Sequence, residues 1–170
     1  MNFRTNSVLS ISALAFCSLL FTTSCKKDNK NPNGTGPFSA NLNGVVFQPI
    51  GSGPNAIQGI DDGSMIHIAG GQIVGKDTLA LQLSIADTAA VNKPADLSEL
   101  GGSWLDYYSL TGSTDYSSAY PKGHGTLTIT SWDKTNKKIA GTFSGVMYDY
   151  NSSTDSVKFS GQFNTNYVGF

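Results

Sequence analysis

The feature that most constrains the fold is a strict alternation of apolar and polar or small residues over residues 79–85. Large aliphatic residues occupy every second position there, at Leu79, Leu81, Leu83 and Ile85. Successive side chains of a β-strand point to opposite faces, so this pattern places one face of a strand on a core. Alternation recurs over residues 126–132 and 157–163, and no stretch after residue 37 keeps a helical period for three turns. The sequence therefore predicts an all-β fold.

Turn-forming residues separate these runs. Asn43-Gly44 stands between two short apolar-rich runs, which is the strongest short-range signal for a hairpin. We expect Asp96 to cap a short helical turn over residues 96–100, and Gly145 to mark a β-bulge. With turns about every 8–12 residues and about eight to ten short strands, we predict a single antiparallel β-sandwich or flattened barrel.

The charge composition argues against a nucleic-acid partner. Charged residues make up 14% of the chain, well below the roughly 25% of typical soluble domains. Eleven basic residues face twelve acidic ones, and Arg4 is the only arginine. The chain therefore has no basic excess to hold a polyanion. After residue 4 it also lacks the guanidinium group, which forms paired hydrogen bonds with phosphates and guanine edges.

The first 25 residues have the organisation of a secretory signal that ends at a cysteine. Arg4 supplies a positive start, and residues 8–21 are uncharged and apolar. This run of about 14 residues matches the h-region of a signal peptide and is too short for a membrane-spanning helix, which needs about 20. Small residues precede Cys25 and polar residues follow it directly. We expect a signal peptide over residues 1–24.

This arrangement resembles the lipobox of bacterial lipoproteins, although Thr22 stands where that motif usually has Leu, Val or Ile. Residues 24–28, SCKKD, are similar to lipoproteins of the Bacteroidota, in which looser lipoboxes are common. The resemblance implies acyl chains such as palmitate on Cys25, and each buried CH₂ contributes about 0.8 kcal/mol to membrane binding. The alternative is an ordinary signal peptide that is cleaved nearby and leaves Cys25 as a free thiol.

Residues 25–36 are rich in Asn, Gly, Pro and Lys and have no apolar period. This composition predicts a flexible, lipid-anchored tether in front of a β domain over residues 37–170. The anchor places the protein in the cell envelope, and we expect the outer membrane. Asp28 is the only acidic residue shortly after the cysteine, so the choice between the periplasmic and the external side stays open.

A second resemblance covers most of the predicted domain. Residues 125–130, 138–144 and 161–163 carry the motifs G-x-L-x-I-T, K-I-x-G-T-F-S and G-x-F, with Asp133 between the first two. This pattern resembles a group of small Bacteroidota lipoproteins of uncharacterised function, and the hairpin at residues 38–47 is similar to their N-terminal end. The resemblance implies an all-β domain on a lipid tether. Its motifs consist of strand and turn residues and imply no catalytic residue.

Aromatic residues are densest between residues 104 and 120. They are Trp104, Tyr107, Tyr108, Tyr116 and Tyr120. Flat aromatic rings stack on sugars or anchor a protein partner, so this set is a candidate binding patch centred on Trp104 with Tyr107 or Tyr108. The alternative is that alternate members fill the core while the others lie on the surface.

The histidines offer weaker candidates. His67 alternates with isoleucines and is predicted to face outward, and a catalytic or ligand role would need Asp61 or Asp62 to fold back beside it. His124 lies between two glycines, where we expect a solvated side chain. The chain has no Gly-x-Ser-x-Gly elbow. We therefore expect no catalytic residue.

Two loops carry oxygen ligands, at Asp61-Asp62-Gly63 and at Asp149, Asn151 and Asp155. Calcium takes about six to eight oxygen ligands, and neither loop matches a recognised calcium-binding loop. A cysteine-based zinc site is excluded because Cys25 is the only cysteine after the signal peptide. We expect no metal and no cofactor, with calcium at either loop as the minor alternative.

These observations predict a non-enzymatic, lipid-anchored envelope lipoprotein that binds a glycan or an envelope protein. The alternative is a structural or accessory envelope lipoprotein without a small-molecule ligand, and a hydrolase is a distant third. An exposed aromatic patch would favour the first function and a uniformly polar surface the second. A histidine within reach of a serine and an aspartate would favour the third.

Overall fold

The computed structural model describes residues 37–49, 58–98, 102–112 and 114–169, so the predicted signal peptide, Cys25 and the tether lie outside the described residues. The described residues form eleven strands. They contain no helix that could cross a membrane. The strands are β1 (Phe38–Leu42), β2 (Val45–Phe47), β3 (Gln58–Asp61), β4 (Met65–Val74), β5 (Asp77–Ala86), β6 (Pro94–Asp96), β7 (Trp104–Ser109), β8 (Asp115–Ser117), β9 (His124–Asp133), β10 (Lys138–Asp149) and β11 (Ser152–Gly169).

All eleven strands belong to one sheet, in the order β2-β1-β11-β3-β4-β5-β7-β8-β10-β9-β6. The long strands β10 and β11 also pair with each other, so the ladders close into a circuit through β3, β4, β5, β7 and β8. The predicted all-β architecture, a sandwich or flattened barrel, is confirmed. Closure satisfies backbone groups that an open sheet would leave at its edges.

One ladder departs from the antiparallel pairing that we predicted. Residues 167–169 of β11 run parallel to residues 59–61 of β3. The other ladders between the eleven strands are antiparallel. Antiparallel pairing is the natural outcome of short turns between consecutive strands. β3 and β11 are far apart in the chain, so no turn determines their direction, and the sheet is mixed.

The prediction that one side of residues 79–85 faces the core is confirmed for three of its four aliphatic residues, whereas Leu79 is half-buried and lies outside the core cluster. Leu81, Leu83 and Ile85 are fully buried, and Leu105 of β7 packs into the same cluster. On β1, β10 and β11 the core is aromatic instead, with Phe143 in contact with the rings of three other phenylalanines. These three are Phe38, Phe159 and Phe163. The inner side of the sheet therefore has an aliphatic part and an aromatic part.

Glycines on the inner side make room for the phenylalanine rings. A Cβ atom at Gly161 would collide with the ring of Phe143 and lie 2.5 Å from the carbonyl oxygen of Ser39. A Cβ atom at Gly145 would lie 2.7 Å from Phe159 Cζ. The β-bulge that we predicted at Gly145 is wrong, because this residue pairs in register with both neighbouring strands. It is a packing glycine, and the register shifts fall at residues 140–141 and 148–149.

The turn chemistry is confirmed at the first hairpin, where Asn43 and Gly44 have φ angles of 51° and 87°. Two consecutive left-handed residues are the signature of the turn that Asn-Gly favours. The helical turn predicted from Asp96 is wrong for its described part, since Pro94–Asp96 is strand β6 and pairs with β9. Leu97 continues into the core, where its backbone N–H donates to Gly125 O at 2.9 Å. Residues 99–100 lie outside the described residues.

Candidate aromatic and polar site

Strand parity divides the predicted aromatic patch. Trp104 and Tyr108 lie on the outer side of β7, because the intervening core residue Leu105 is fully buried. Tyr107 points to the inner side and packs, with Tyr116 of β8, against the core cluster. The rings of these two tyrosines are 6.4 Å apart. The patch is therefore reduced to Trp104 and Tyr108 on one face, with the alternate residues in the core.

Tyr120 lies in the segment after β8, at the border of this outer face. Its hydroxyl donates to both carboxylate oxygens of Asp115 at 3.1 Å, and its ring centroid is 5.3 Å from that of Tyr150. Burial and the bond to Asp115 raise the pKa of Tyr120 to about 12. Tyr120 is therefore uncharged at neutral pH and holds Asp115 in place.

The outer side of β4, β5, β7 and β8 forms what we call the aromatic face. Directly opposite residues on neighbouring strands share a face and have Cβ atoms about 4.5–5.5 Å apart. The register places His67 opposite Ser84 and Ser84 opposite Trp104, with Gln82 opposite Asp106 in the next row. Its members are His67, Gln82, Ser84, Trp104, Asp106, Tyr108, Asp115 and Ser117.

Asp106 is the central charged group of this face. Its Oδ2 accepts the Trp104 Nε1–H at 2.8 Å, and its Oδ1 accepts the Ser117 hydroxyl at 2.6 Å. Burial raises the pKa of the Asp106 carboxyl, while these two hydrogen bonds oppose the shift. A carboxylate that is partly desolvated and held by two donors is a frequent component of functional sites. We did not predict Asp106 as a site residue, although it shares its strand parity with Trp104 and Tyr108.

His67 has the neighbours that a hydrolase would need. Its Nδ1 is 3.0 Å from Ser84 Oγ and its Nε2 is 3.2 Å from Asp62 Oδ2. A nucleophilic serine must reach a substrate carbonyl. Ser84, however, is 0% exposed, and its Oγ also lies 3.5 Å from the Gln82 amide nitrogen. The contact between His67 and Ser84 therefore orients the imidazole and offers no accessible nucleophile.

Asp62 is placed by its own turn. Its Oδ1 accepts the backbone N–H groups of Ser64 and Met65 at 2.9 and 2.8 Å, and the Ser64 hydroxyl at 2.9 Å. These donors, led by the backbone N–H of Ser64, hold the pKa of the Asp62 carboxyl well below its usual range. The turn thus places the Asp62 carboxylate beside His67, which is the arrangement that a catalytic or ligand role of this histidine would need.

Small residues lie between Tyr108 and the polar side chains of β4 and β5 on the aromatic face. Ala69, Gly71 and Ala80 occupy the outer side of β4 and β5 between Gln82 and the end of the hairpin. Because these side chains are short, the outer side of β4 and β5 carries no bulky side chain directly beside Tyr108.

The remaining candidates lie apart from this face. His124 Nδ1 contacts Lys122 O at 2.8 Å at the start of β9. Asp155 accepts the Tyr116 hydroxyl at 2.8 Å, and burial followed by this bond raises the pKa of Tyr116 to about 12. Within the described ranges, no three His, Cys, Asp or Glu side chains are grouped as metal ligands would be.

Comparisons with protein-family models, with curated proteins and with solved structures find no match to this chain. Any assignment of a function therefore depends on the side chains and their geometry.

Proposed function

We propose that this protein is a lipid-anchored module of the cell envelope that binds a glycan through the aromatic face and catalyses no reaction. The observation that carries this proposal is the outward series Trp104, Asp106 and Tyr108 on β7. Two aromatic residues there flank a carboxylate that two hydrogen-bond donors hold in a defined orientation.

This chemistry matches a sugar ring. One face of a pyranose is rich in C–H groups and packs on an indole or phenol ring, while its hydroxyls point outward as donors. Each carboxylate oxygen can accept more than one hydrogen bond, so the Asp106 oxygens retain acceptor capacity after binding Trp104 and Ser117. The Gln82 amide adds a donor and an acceptor in the adjacent position.

The alternatives receive less support. An accessory lipoprotein without a ligand would not need a partly desolvated carboxylate between two outward aromatic side chains, since burial of charge is costly. A serine hydrolase would need an exposed nucleophile, and Ser84 is fully buried. An envelope protein remains the second partner class, because exposed aromatic residues also anchor protein interfaces.

The lipid anchor is the second part of the proposal. A tether of about 12 residues after Cys25 could extend about 40 Å at about 3.3–3.6 Å per residue, so the aromatic face could reach ligands away from the bilayer. A Cys25→Ala variant should move from the membrane fraction to the soluble fraction of the cell envelope. Continued membrane partitioning of this variant would contradict lipidation of Cys25.

The glycan assignment is tested by screening the detergent-solubilised full chain on a broad glycan array. Trp104→Ala should abolish specific binding, whereas Trp132→Ala should retain it. Trp132 is the matched control because it is the other tryptophan of the chain and donates to Tyr167 Oη, away from the aromatic face. Circular dichroism of both variants establishes that they fold.

Asp106→Asn refines this experiment, because an amide keeps the shape of the carboxyl and loses its charge and one acceptor. We expect its binding to fall at least about tenfold, which corresponds to about 1.4 kcal/mol. An array without specific hits, or hits that survive Trp104→Ala in full, would favour the accessory lipoprotein.

A further inference from the structure

A hollow of about 270 Å³ lies on the outer side of β9, β10 and β11, apart from the aromatic face. We call it the amide–hydroxyl hollow. It is lined by Gly141, by the buried Phe163 and by the outward side chains of Thr130, Ala140, Thr142, Gln162 and Asn164. This volume is below the about 300–1,000 Å³ of typical small-molecule pockets, so the hollow suits one small unit of a longer ligand.

The register of the sheet produces this shape. Thr142 pairs with Gln162 and Ala140 with Asn164, so these four side chains form two adjacent rows on one face. The short side chain of Ala140 is the floor, and the longer side chains around it are the walls. The register between β9 and β10 shifts at residues 140–141, which leaves Thr130 as an extra residue on β9. A bulge of this kind re-aims a side chain, here onto the rim of the hollow.

The polar groups of the hollow are uncharged and open. Threonine hydroxyls and Asn and Gln amides can both donate and accept. Within the described part of the chain, no side-chain hydrogen bond is made by Thr130, Thr142, Gln162 or Asn164. Thr130, Thr142 and Asn164 are exposed. Their bonding capacity is therefore available to a ligand.

Ser39 adds an independent observation beside the hollow. It pairs with Gln162 across β1 and β11 and is 4% exposed. Its hydroxyl is a buried polar group that has no hydrogen-bond partner among the residues that the structure describes. Buried hydroxyls normally have a hydrogen-bond partner. The sheet next to the hollow therefore contains a polar group without a described partner, and this group is too buried to contact a ligand.

We propose that the amide–hydroxyl hollow is a second ligand site, which binds one sugar unit of a neutral polysaccharide chain. A charged ligand would meet no opposite charge among the lining side chains. A protein partner would need aromatic or arginine anchors. The lining contains no arginine, and its one aromatic residue, Phe163, is only 2% exposed. A chain of sugar hydroxyls matches uncharged groups that both donate and accept. This site does not depend on the aromatic face.

The test is isothermal titration calorimetry of the detergent-solubilised full chain with neutral hexasaccharides of glucose, xylose and mannose. A hexasaccharide of galacturonic acid is the charged counterpart. Each ligand is titrated into the wild type and into Trp104→Ala, so that a signal which survives in the variant does not come from the aromatic face. We expect at least one neutral hexasaccharide to bind Trp104→Ala, and the charged one to bind at least about tenfold more weakly.

Ala140→Leu then locates the signal, because a larger side chain fills the floor of the hollow. We expect it to weaken binding at least about tenfold, whereas Thr126→Leu, which adds the same side chain to an exposed position of β9, should change binding less than about twofold. If Ala140→Leu does not fold, Gln162→Ala tests the same site by removal of an amide.

Three results would overturn the second site. The first is that no neutral hexasaccharide binds Trp104→Ala. The second is that a folded Ala140→Leu or Gln162→Ala variant binds as tightly as the protein without that substitution. The third is that the galacturonic acid hexasaccharide binds as tightly as the neutral ones. These results are distinct from a failure of the proposed glycan binding at the aromatic face. That binding is tested separately, by whether Trp104→Ala loses the specific hits on the glycan array.

Discussion

The aromatic face and the amide–hydroxyl hollow are outer surfaces of the same sheet, but they differ in the hydrogen bonds of their polar side chains. On the aromatic face, a carboxylate, an indole and hydroxyls bond one another, with Asp106 at the centre. In the hollow, none of the polar side chains bonds another described side chain. A partly desolvated charge needs internal donors, whereas an exposed uncharged amide can be left to water or to a ligand.

The inner sides beneath these two surfaces differ as well. Beneath the aromatic face the core is aliphatic, with Leu81, Leu83 and Leu105 fully buried. Beneath the hollow, phenylalanine rings lie over glycines such as Gly141 and Gly161. Between two aliphatic side chains, both partners can adjust their rotamers to a small change in volume. The glycine–phenylalanine contacts involve backbone on one side, which cannot adjust in this way.

The largest difference is expected from adding one methyl group to the inner side at the phenylalanine rings and one to the outer aromatic face. Gly161→Ala should lower the free energy of unfolding by about 1–3 kcal/mol, because its Cβ would meet the Phe143 ring and the Ser39 carbonyl. Gly71→Ala, on the outer side of β4, meets Thr78 Cγ2 at an ordinary 3.7 Å and should change stability by less than about 1 kcal/mol. Urea denaturation measures both, and equal losses would remove the distinction between the two regions.

A second comparison removes one hydroxyl from each outer surface. Ser84→Ala removes a fully buried hydroxyl that lies 3.0 Å from Nδ1 of the partly exposed His67, and should cost about 1 kcal/mol. Thr142→Val removes a hydroxyl that bonds no described residue, and stability should stay within about 0.5 kcal/mol. Thermal and urea unfolding of the two variants at pH 7 provide the measurement. A larger loss for Thr142→Val would show that its hydroxyl has an internal partner.

The smallest expected effect is a pH dependence with opposite signs at two carboxylates. The pKa of Asp62 is lowered, so its contribution to stability is present above the unfolded value near 3.8 and is lost as the pH falls from there. The pKa of Asp106 is raised, so its contribution is present below that unfolded value and is lost as the pH rises through the raised pKa.

Unfolding of Asp62→Asn and Asp106→Asn between pH 2 and pH 7 distinguishes these signs. Relative to the wild type, Asp62→Asn should lose less stability as the pH falls below about 4. Asp106→Asn should gain stability relative to the wild type as the pH rises toward 7. Parallel curves for both variants would mean that neither pKa differs between the folded and unfolded states.

Much of the fold could be predicted because its signals are local. The alternation at residues 79–85 identified a core face, and Asn43-Gly44 identified the first turn. Gly145 was misread because a strand glycine marks either a bulge or a close approach, and only the position of Phe159 decides between them. The parallel ladder between β3 and β11 has no local signal, since it joins residues more than a hundred positions apart.

The candidate site was predicted in part. The aromatic cluster was visible, and parity alone could have separated Trp104 and Tyr108 from Tyr107. Asp106 was overlooked because its importance depends on burial by neighbouring strands. The approach of Ser84 to His67 also depends on the register between two strands, for which the sequence carries no local code.

The amino-acid sequence by itself determined the all-β class, the first hairpin turn and the inward and outward positions of the regularly alternating strands. These follow from side-chain period and backbone preference, which act within a few residues. Only the tertiary structure decided the closure of the sheet, the contacts of Asp106 with Ser117 and of His67 with Ser84, and the hollow over Ala140. These depend on register between distant strands, which is set by how the whole core packs.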